Sequence, residues 1–175
     1  VDALIAALND EVKFVRWNAA DVLGIIGNPQ AVDALIAALN DKNQDVRSKA
    51  AMALGIIGNP QAVDALIAAL NDEDGYVKKD AAEALGIIGN PQVVDALIAA
   101  LNDEYELVRS KAAKALGKID SSETLEKLIE NPEIDIYRPD IFVLARKLAV
   151  RFSKEGVPFI PVYPELLNRE ADTDA

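Results

Sequence analysis

The chain has 175 residues, 51% of them hydrophobic and 5% aromatic, with no cysteine, no histidine and a formal net charge of −11. That acidity disfavours unaided attachment to anionic membranes or to a nucleic-acid backbone. Without cysteine there is no disulfide framework, thiol nucleophile or thiolate metal site, and without histidine the commonest general base and metal ligand is missing.

No apolar run reaches the roughly 18 residues of a membrane span, and no basic start of a signal peptide stands at the front. The expectation is a soluble, cytoplasmic chain with no cofactor. It opens at Val1 inside a repeat and without an initiator methionine, which predicts that further sequence precedes it.

The string VDALIAALND stands at Val1, Val32, Val63 and Val94, so the repeat is 31 residues long. Such a period is the mark of a stacked repeat architecture. Each unit opens on an Asn-Pro pair: Asn28, Asn59 and Asn90 are predicted N-caps, and Pro29, Pro60 and Pro91 are first-turn residues whose missing N–H costs nothing. In the first helix, helix A, Val32, Leu35, Ile36 and Leu39 make one apolar stripe at helical spacing over about three turns.

The Asn-Asp pairs at Asn9, Asn40, Asn71 and Asn102 interrupt that stripe with turn-forming residues. A second helix, helix B, is predicted from Asp45 to Ile57, with Val46, Ala50, Ala53, Leu54 and Ile57 buried and Gly58 left-handed at its end. Ala51 and Gly55, beside that stripe, would let a neighbouring helix approach closely. Two such helices cannot bury both faces alone, so the units must stack.

The fifth unit decays over residues 118–130, where Gly-Asn-Pro-Gln becomes Asp120, Ser121, Ser122 and Glu123; Ser121 or Ser122 would cap a shortened helix A. A different helix is predicted from Pro139 to Lys154, with Ile141, Leu144, Ala145, Leu148 and Phe152 on one face. From Val157 the segment VPFIPVYPELL has three prolines and should be extended. It would either lie over the last helix pair or insert into a second molecule, so self-association through this segment or through the repeat ends stays open. The expected organisation is four repeats and a degenerate fifth over 1–130, a capping helix and Pro-rich segment over 131–168, and a frayed tail over 169–175.

The pattern VR…AA.ALG.IG followed by AV.ALI.AL resembles the short HEAT-like repeats first associated with phycobilisome lyases and widespread in prokaryotic proteins. The resemblance covers Val1 to about Glu130. It implies an all-α fold: a right-handed α-solenoid, or superhelix, of antiparallel two-helix repeats with a divergent C-terminal helical cap. It also implies a ladder between adjacent repeats, from Asp10, Asp41, Asp72 and Asp103 to Arg16, Arg47, Lys78 and Arg109. Lys78 departs from the pattern and cannot make a bidentate guanidinium contact, so its rung should be weaker.

Positions that differ between the repeats concentrate on helix B. One row is Phe14, Asp45, Tyr76 and Leu107; the next is Trp17, Ser48, Lys79 and Ser110. Then follow Asn18, Lys49, Asp80 and Lys111, and finally Asp21, Met52, Glu83 and Lys114. Helical spacing puts these positions opposite the core stripe, on a face expected to be exposed. By the resemblance, helix B lines the concave surface. Four repeats at about 10 Å per packed helix then give a groove roughly 40 Å long.

Phe14, Trp17, Met52 and Tyr76, with Ile25, Ile56 and Ile87, would supply apolar anchors for a protein or peptide partner. The grading from Asp21 to Lys114 would orient a ligand. Against this stands a plain surface reading, in which the variable positions are unconstrained, Trp17 covers an end, and Ile25 and its equivalents are half-buried between repeats.

Catalysis finds no support. Some HEAT-repeat proteins are di-iron hydroxylases built on His-Glu pairs, which a histidine-free chain cannot form. The turn Asn71-Asp72-Glu73-Asp74-Gly75 has oxygen ligands but an incomplete calcium pattern. Neighbouring carboxylates such as Asp10 and Glu11 lie side by side in a turn and give general acid catalysis no support. Two alternatives to protein binding remain. One is a chromophore- or ligand-binding lyase-type chaperone. The other is low-affinity nucleic-acid binding through Lys78, Lys79, Lys111, Lys114 and Lys118 with Arg146, Lys147, Arg151 and Lys154, a strip that Asp80 and Glu83 interrupt.

Overall fold

The computed structural model describes residues 1–119, 122–135 and 138–154, except the side chains of Ser122 and of 152–154. Among the described residues all regular structure is helical. In chain order the helices are α1 (Asp2–Ala7), α2 (Lys13–Ile26), α3 (Val32–Ala38), α4 (Gln44–Ile57), α5 (Val63–Ala69), α6 (Gly75–Ile88), α7 (Val94–Ala100), α8 (Glu106–Leu116), α9 (Ser122–Glu130) and α10 (Pro139–Lys154). The chain divides into two compact units, Val1–Ile119 and Asp120–Ala175.

In the first unit the caps form as the sequence predicts. The Asn28, Asn59 and Asn90 side chains each accept the N–H two residues on, at 2.9 Å, an arrangement that stabilises a helix start by about 1 kcal/mol. The proline-led turns Pro29–Ala31, Pro60–Ala62 and Pro91–Val93 are 3-10 helices that lead directly into α3, α5 and α7. Helix B stops at Gly27, Gly58 and Gly89, all left-handed with φ of 68°, 70° and 69°.

Each A helix packs on the B helix that follows it, and α2, α4, α6 and α8 pack side by side. Val46, Ala50, Ala53 and Leu54 are buried as expected, and Ile57 is half-buried. Ala51 and Gly55 are buried as well, and the reason is the next helix. A Cβ on Gly55 would stand 2.8 Å from Ala84 Cα, and one on Gly86 2.7 Å from Ala115 Cα. The glycine of each unit therefore receives the alanine of the next at backbone distance. The leucines behind this contact, Leu23, Leu54, Leu85 and Leu116, are fully buried, each contributing about 2 kcal/mol in area removed from water.

In the second unit α9 and α10 pack against each other. Leu125, Leu128, Ile141, Leu144, Ala145 and Leu148 are buried, in agreement with the apolar stripe read for the last helix. Helix α9 has nine residues, one fewer than the three-residue proline-led turn and seven-residue α-helix that together make an A helix in the earlier units. The predicted cap at Ser121, the Phe152 side chain, the Pro-rich segment and the tail lie outside the described residues. Thr124 is fully buried and its hydroxyl has no hydrogen-bond partner among the described residues. A buried hydroxyl without a partner costs free energy, so Thr124→Val is expected to raise stability by about 1 kcal/mol, read as a higher urea midpoint. A lower midpoint would count against the burial.

Candidate functional site

The B helices are tied together from the turn side. Arg16 Nε and Nη2 donate to Asp41 at 2.6 and 2.9 Å, and Arg47 makes the same pair of bonds to Asp72, both at 2.8 Å. Lys78 makes a single bond to Asp103 at 3.0 Å. The expected ladder is thus present, and the third rung has one contact where the others have two. Arg109 donates to the Asp103 and Glu104 carbonyls and meets no carboxylate among the described residues.

Each rung aspartate also accepts the N–H two residues on, from Asn43, Asp74 or Tyr105. Burial pushes the Asp41 and Asp72 carboxyls up. The guanidinium hydrogen bond, the backbone N–H and the arginine charge together outweigh it and hold both below the usual carboxylate range. The hydrogen bond to Asp103 raises Lys78 above its ordinary value in spite of partial desolvation. Asp72 is committed to this ladder, and Asp74 caps α6 by accepting from Tyr76 and Val77 N–H. The oxygen-rich turn therefore uses its carboxylates internally.

The remaining face of the B helices departs from the sequence expectation. Helical spacing predicts an exposed strip, yet Asp80 is only 3% exposed. It accepts the Ser48 hydroxyl at 2.5 Å and pairs with Lys79 at 2.8 Å. Asp21 pairs with Lys49 at 2.8 Å and Glu83 with Lys111 at 2.6 Å, so these half-buried groups join one repeat to the next. The Lys111 hydrogen bond lowers the Glu83 carboxyl. Trp17 is half-buried under Lys49, whose ammonium lies 4.8 Å from the ring. Asn18 is exposed and folds its amide back to the Phe14 carbonyl. Ser110 is half-buried and Lys114 is exposed. The charge grading from Asp21 to Lys114 is therefore mostly neutralised in pairs.

Three of the seven lysines of the suspected basic strip, Lys78, Lys79 and Lys111, are held by carboxylates. Large apolar side chains stay open on this face. Phe14 is 66% exposed, Tyr76 63% and Met52 40%, and Ile25, Ile56 and Ile87 are exposed rather than half-buried between repeats.

Between α4 and α6 these features enclose a cleft of about 340 Å³ lined by Gln44, Asp45, Ser48, Met52, Asp74, Tyr76, Lys79 and Asp80. It brings together six residues of the predicted face: Asp45, Ser48, Met52, Tyr76, Lys79 and Asp80. It leaves out Phe14, Trp17, Asn18, Asp21, Lys49, Glu83, Leu107, Ser110, Lys111 and Lys114. Sequence reasoning singled out neither Gln44 nor Asp74 for this role; both stand at the start of α6 or α4, where a residue reads as a cap or first-turn position before anything else. Among the described residues no group of histidine, cysteine, aspartate or glutamate is arranged to hold a metal ion. No described helix is long and apolar enough to cross a membrane. The cleft offers carboxylates, an aromatic face and a thioether, a chemistry suited to non-covalent recognition.

The fold is shared with known structures. The complex of CpcE and CpcF of phycocyanin lyase from Nostoc sp. PCC7120 is similar at 28% identity and a TM-score of 0.70, over 89% of this chain. This chain spans 66% of the length of that one. A designed armadillo repeat protein in complex with the peptide (KR)4 matches at 20% identity, 85% of this chain, 80% of its own and a TM-score of 0.63. Human deoxyhypusine hydroxylase matches at 20% identity, 87% of this chain, 66% of its own and a TM-score of 0.60. Curated protein sequences yield no match. A family model described as HEAT repeats matches residues 1–86 and 63–138, and with its 31-residue units stacked through an aspartate–arginine ladder the chain belongs to the HEAT-repeat family.

Proposed function

We propose that this chain is a non-catalytic scaffold that holds a protein or peptide against the B-helix face. The observation that carries this reading is the cleft between α4 and α6, where Tyr76 and Met52 stand exposed on helices that the ladder and the cross-repeat pairs hold in place. Exposed aromatic anchors on a rigid frame bind at low entropic cost. Two complexes of similar fold, one between two lyase chains and one with a peptide, are in keeping with it. The test is capture from a native lysate by the chain and by the variant with Trp17, Met52 and Tyr76 all changed to alanine. Proteins held by the parent should be lost from the variant. If the variant keeps every one, the assignment to this face fails.

A second reading has a specific observation behind it. Similarity to a phycocyanin lyase complex supports a chaperone for a chromophore or other small ligand, and a cleft of about 340 Å³ is at the lower end of small-ligand sites. Titration with a linear tetrapyrrole separates the two, since binding would change the pigment absorbance and raise the melting temperature.

A further inference from the structure

We infer that the cleft between α4 and α6 receives an arginine or lysine side chain of an extended basic segment, and that Lys79 is the group this guest displaces. The inference rests on the binding reading above and deepens it to a class of ligand.

The cleft is charged differently from the rest of the B-helix face. Along that face acid and base are matched one to one, Asp21 with Lys49 and Glu83 with Lys111. The cleft instead is lined by three carboxylates, Asp45, Asp74 and Asp80, and by one ammonium, that of Lys79. Asp80 is tied to that ammonium and to Ser48, and Asp74 spends one oxygen on its cap. Asp45 is largely open, with a side chain 58% exposed, and its ion-pair partner Lys13 stands 3.7 Å away.

Lys79 itself indicates what the site accepts. Its ammonium lies 5.6 Å from the Tyr76 ring centroid and 2.8 Å from Asp80, so an aromatic face and a carboxylate already meet at one cation. The ring is still widely exposed. A guanidinium would stack on Tyr76 more fully than an ammonium and could span Asp45 and Asp74 with its planar fork. Met52 offers a deformable apolar wall for the stem of the guest. An acidic segment meets a surplus of negative charge in the cleft and a net charge of −11 on the whole chain. A neutral segment gains contact area alone.

The experiment is a fluorescence-anisotropy titration of the full chain against labelled dodecapeptides of one sequence in which alternate positions are arginine, glutamine or glutamate. At about 0.15 M salt, where distant charges are screened, the arginine peptide should bind about tenfold more tightly than the glutamine peptide. The glutamate peptide should not bind. Tyr76→Ala and Asp45→Asn should each weaken the arginine peptide about three- to tenfold, whereas Asp64→Asn, an equal loss of charge on helix A, should leave it unchanged. Lys79→Gln should tighten binding about threefold by removing the resident competitor, and Lys118→Gln should not.

Glutamine or glutamate peptides that bind as well as arginine overturn the inference, as does a Lys79→Gln variant that binds more weakly. No binding of the arginine peptide overturns it too. A glutamine peptide that binds and is lost with Tyr76→Ala ends the cationic class while the binding reading stands. That reading falls separately, on retention of every partner by the triple variant.

Discussion

Gly55→Ala is expected to destabilise the chain by about 2 kcal/mol, although the same exchange at an open helical site stabilises by about 1 kcal/mol. The sign reverses because the added methyl would meet Ala84 Cα and Cβ, both at 2.8 Å, well inside van der Waals contact. Both obstructing atoms are backbone or a Cβ fixed to it, so no side chain can turn aside. The α4 and α6 helices must then separate, and the contact loss spreads along the interface. Gly58→Ala is the control: nothing lies within 4 Å of its Cβ site, and the cost there is the left-handed backbone alone, about 1 kcal/mol. Urea denaturation followed by circular dichroism reads both. Because repeats are coupled only to their neighbours, Gly55→Ala should also broaden the transition as the two halves of the first unit unfold separately. A midpoint that rises with Gly55→Ala would refute this close helix contact.

The parts of the fold that were legible are those written within one repeat. Asn28 before Pro29, Gly58 after Ile57 and the stripe Val46, Ala50, Ala53, Leu54 each declare a local geometry, and each forms. The ladder was legible through resemblance, because its partners are constant residues at a fixed separation of 25. Asp80 was misread because a helical wheel treats a helix alone. Its position lies opposite the core of α6, but the neighbouring B helix covers it and the Ser48 hydroxyl reaches it from there.

A signal for this was present. Asp21 with Lys49 and Glu83 with Lys111 are opposite charges at a separation of 28, three short of the repeat. Helices stacked in register place such residues side by side. The second repeat breaks the pattern, with Met52 where its neighbours have Asp21 and Glu83. Asp80 in turn stands where its neighbours have Lys49 and Lys111, so Met52 and Asp80 replace the acid–base pair at this junction, and Met52 forms the apolar wall of the cleft. The candidate site therefore sits where the cross-repeat pairing lapses, which only the comparison of successive stacked units makes visible.

Arg47→Met should cost about 2–4 kcal/mol at neutral pH, between an exposed pair and a fully buried one. The change removes two bonds to Asp72 and one to the Asp41 carbonyl. It leaves the Asp72 carboxylate, whose side chain is only 12% exposed, without its guanidinium. Most of the cost is that stranded charge, so Arg47→Met with Asp72→Leu should recover more than half of it.

Acid should reveal the same physics. The Asp72 carboxyl lies below its unfolded value of about 3.9, because the arginine bonds and the backbone N–H outweigh burial. Its contribution is full above that value and is lost as pH falls through the folded one. In Arg47→Met burial raises the Asp72 carboxyl instead, so the gap between parent and variant should narrow already as pH falls from neutral and should be smallest below about pH 4. Lys78, raised by Asp103, behaves in the opposite sense. Its rung is complete below about pH 10.4 and fails as pH climbs through the higher folded value, while the arginine rungs persist. Urea midpoints across pH test all of this. A single variant within about 0.5 kcal/mol of the parent at neutral pH, or a double variant less stable than the single, would show that the ladder orders the repeats without stabilising them.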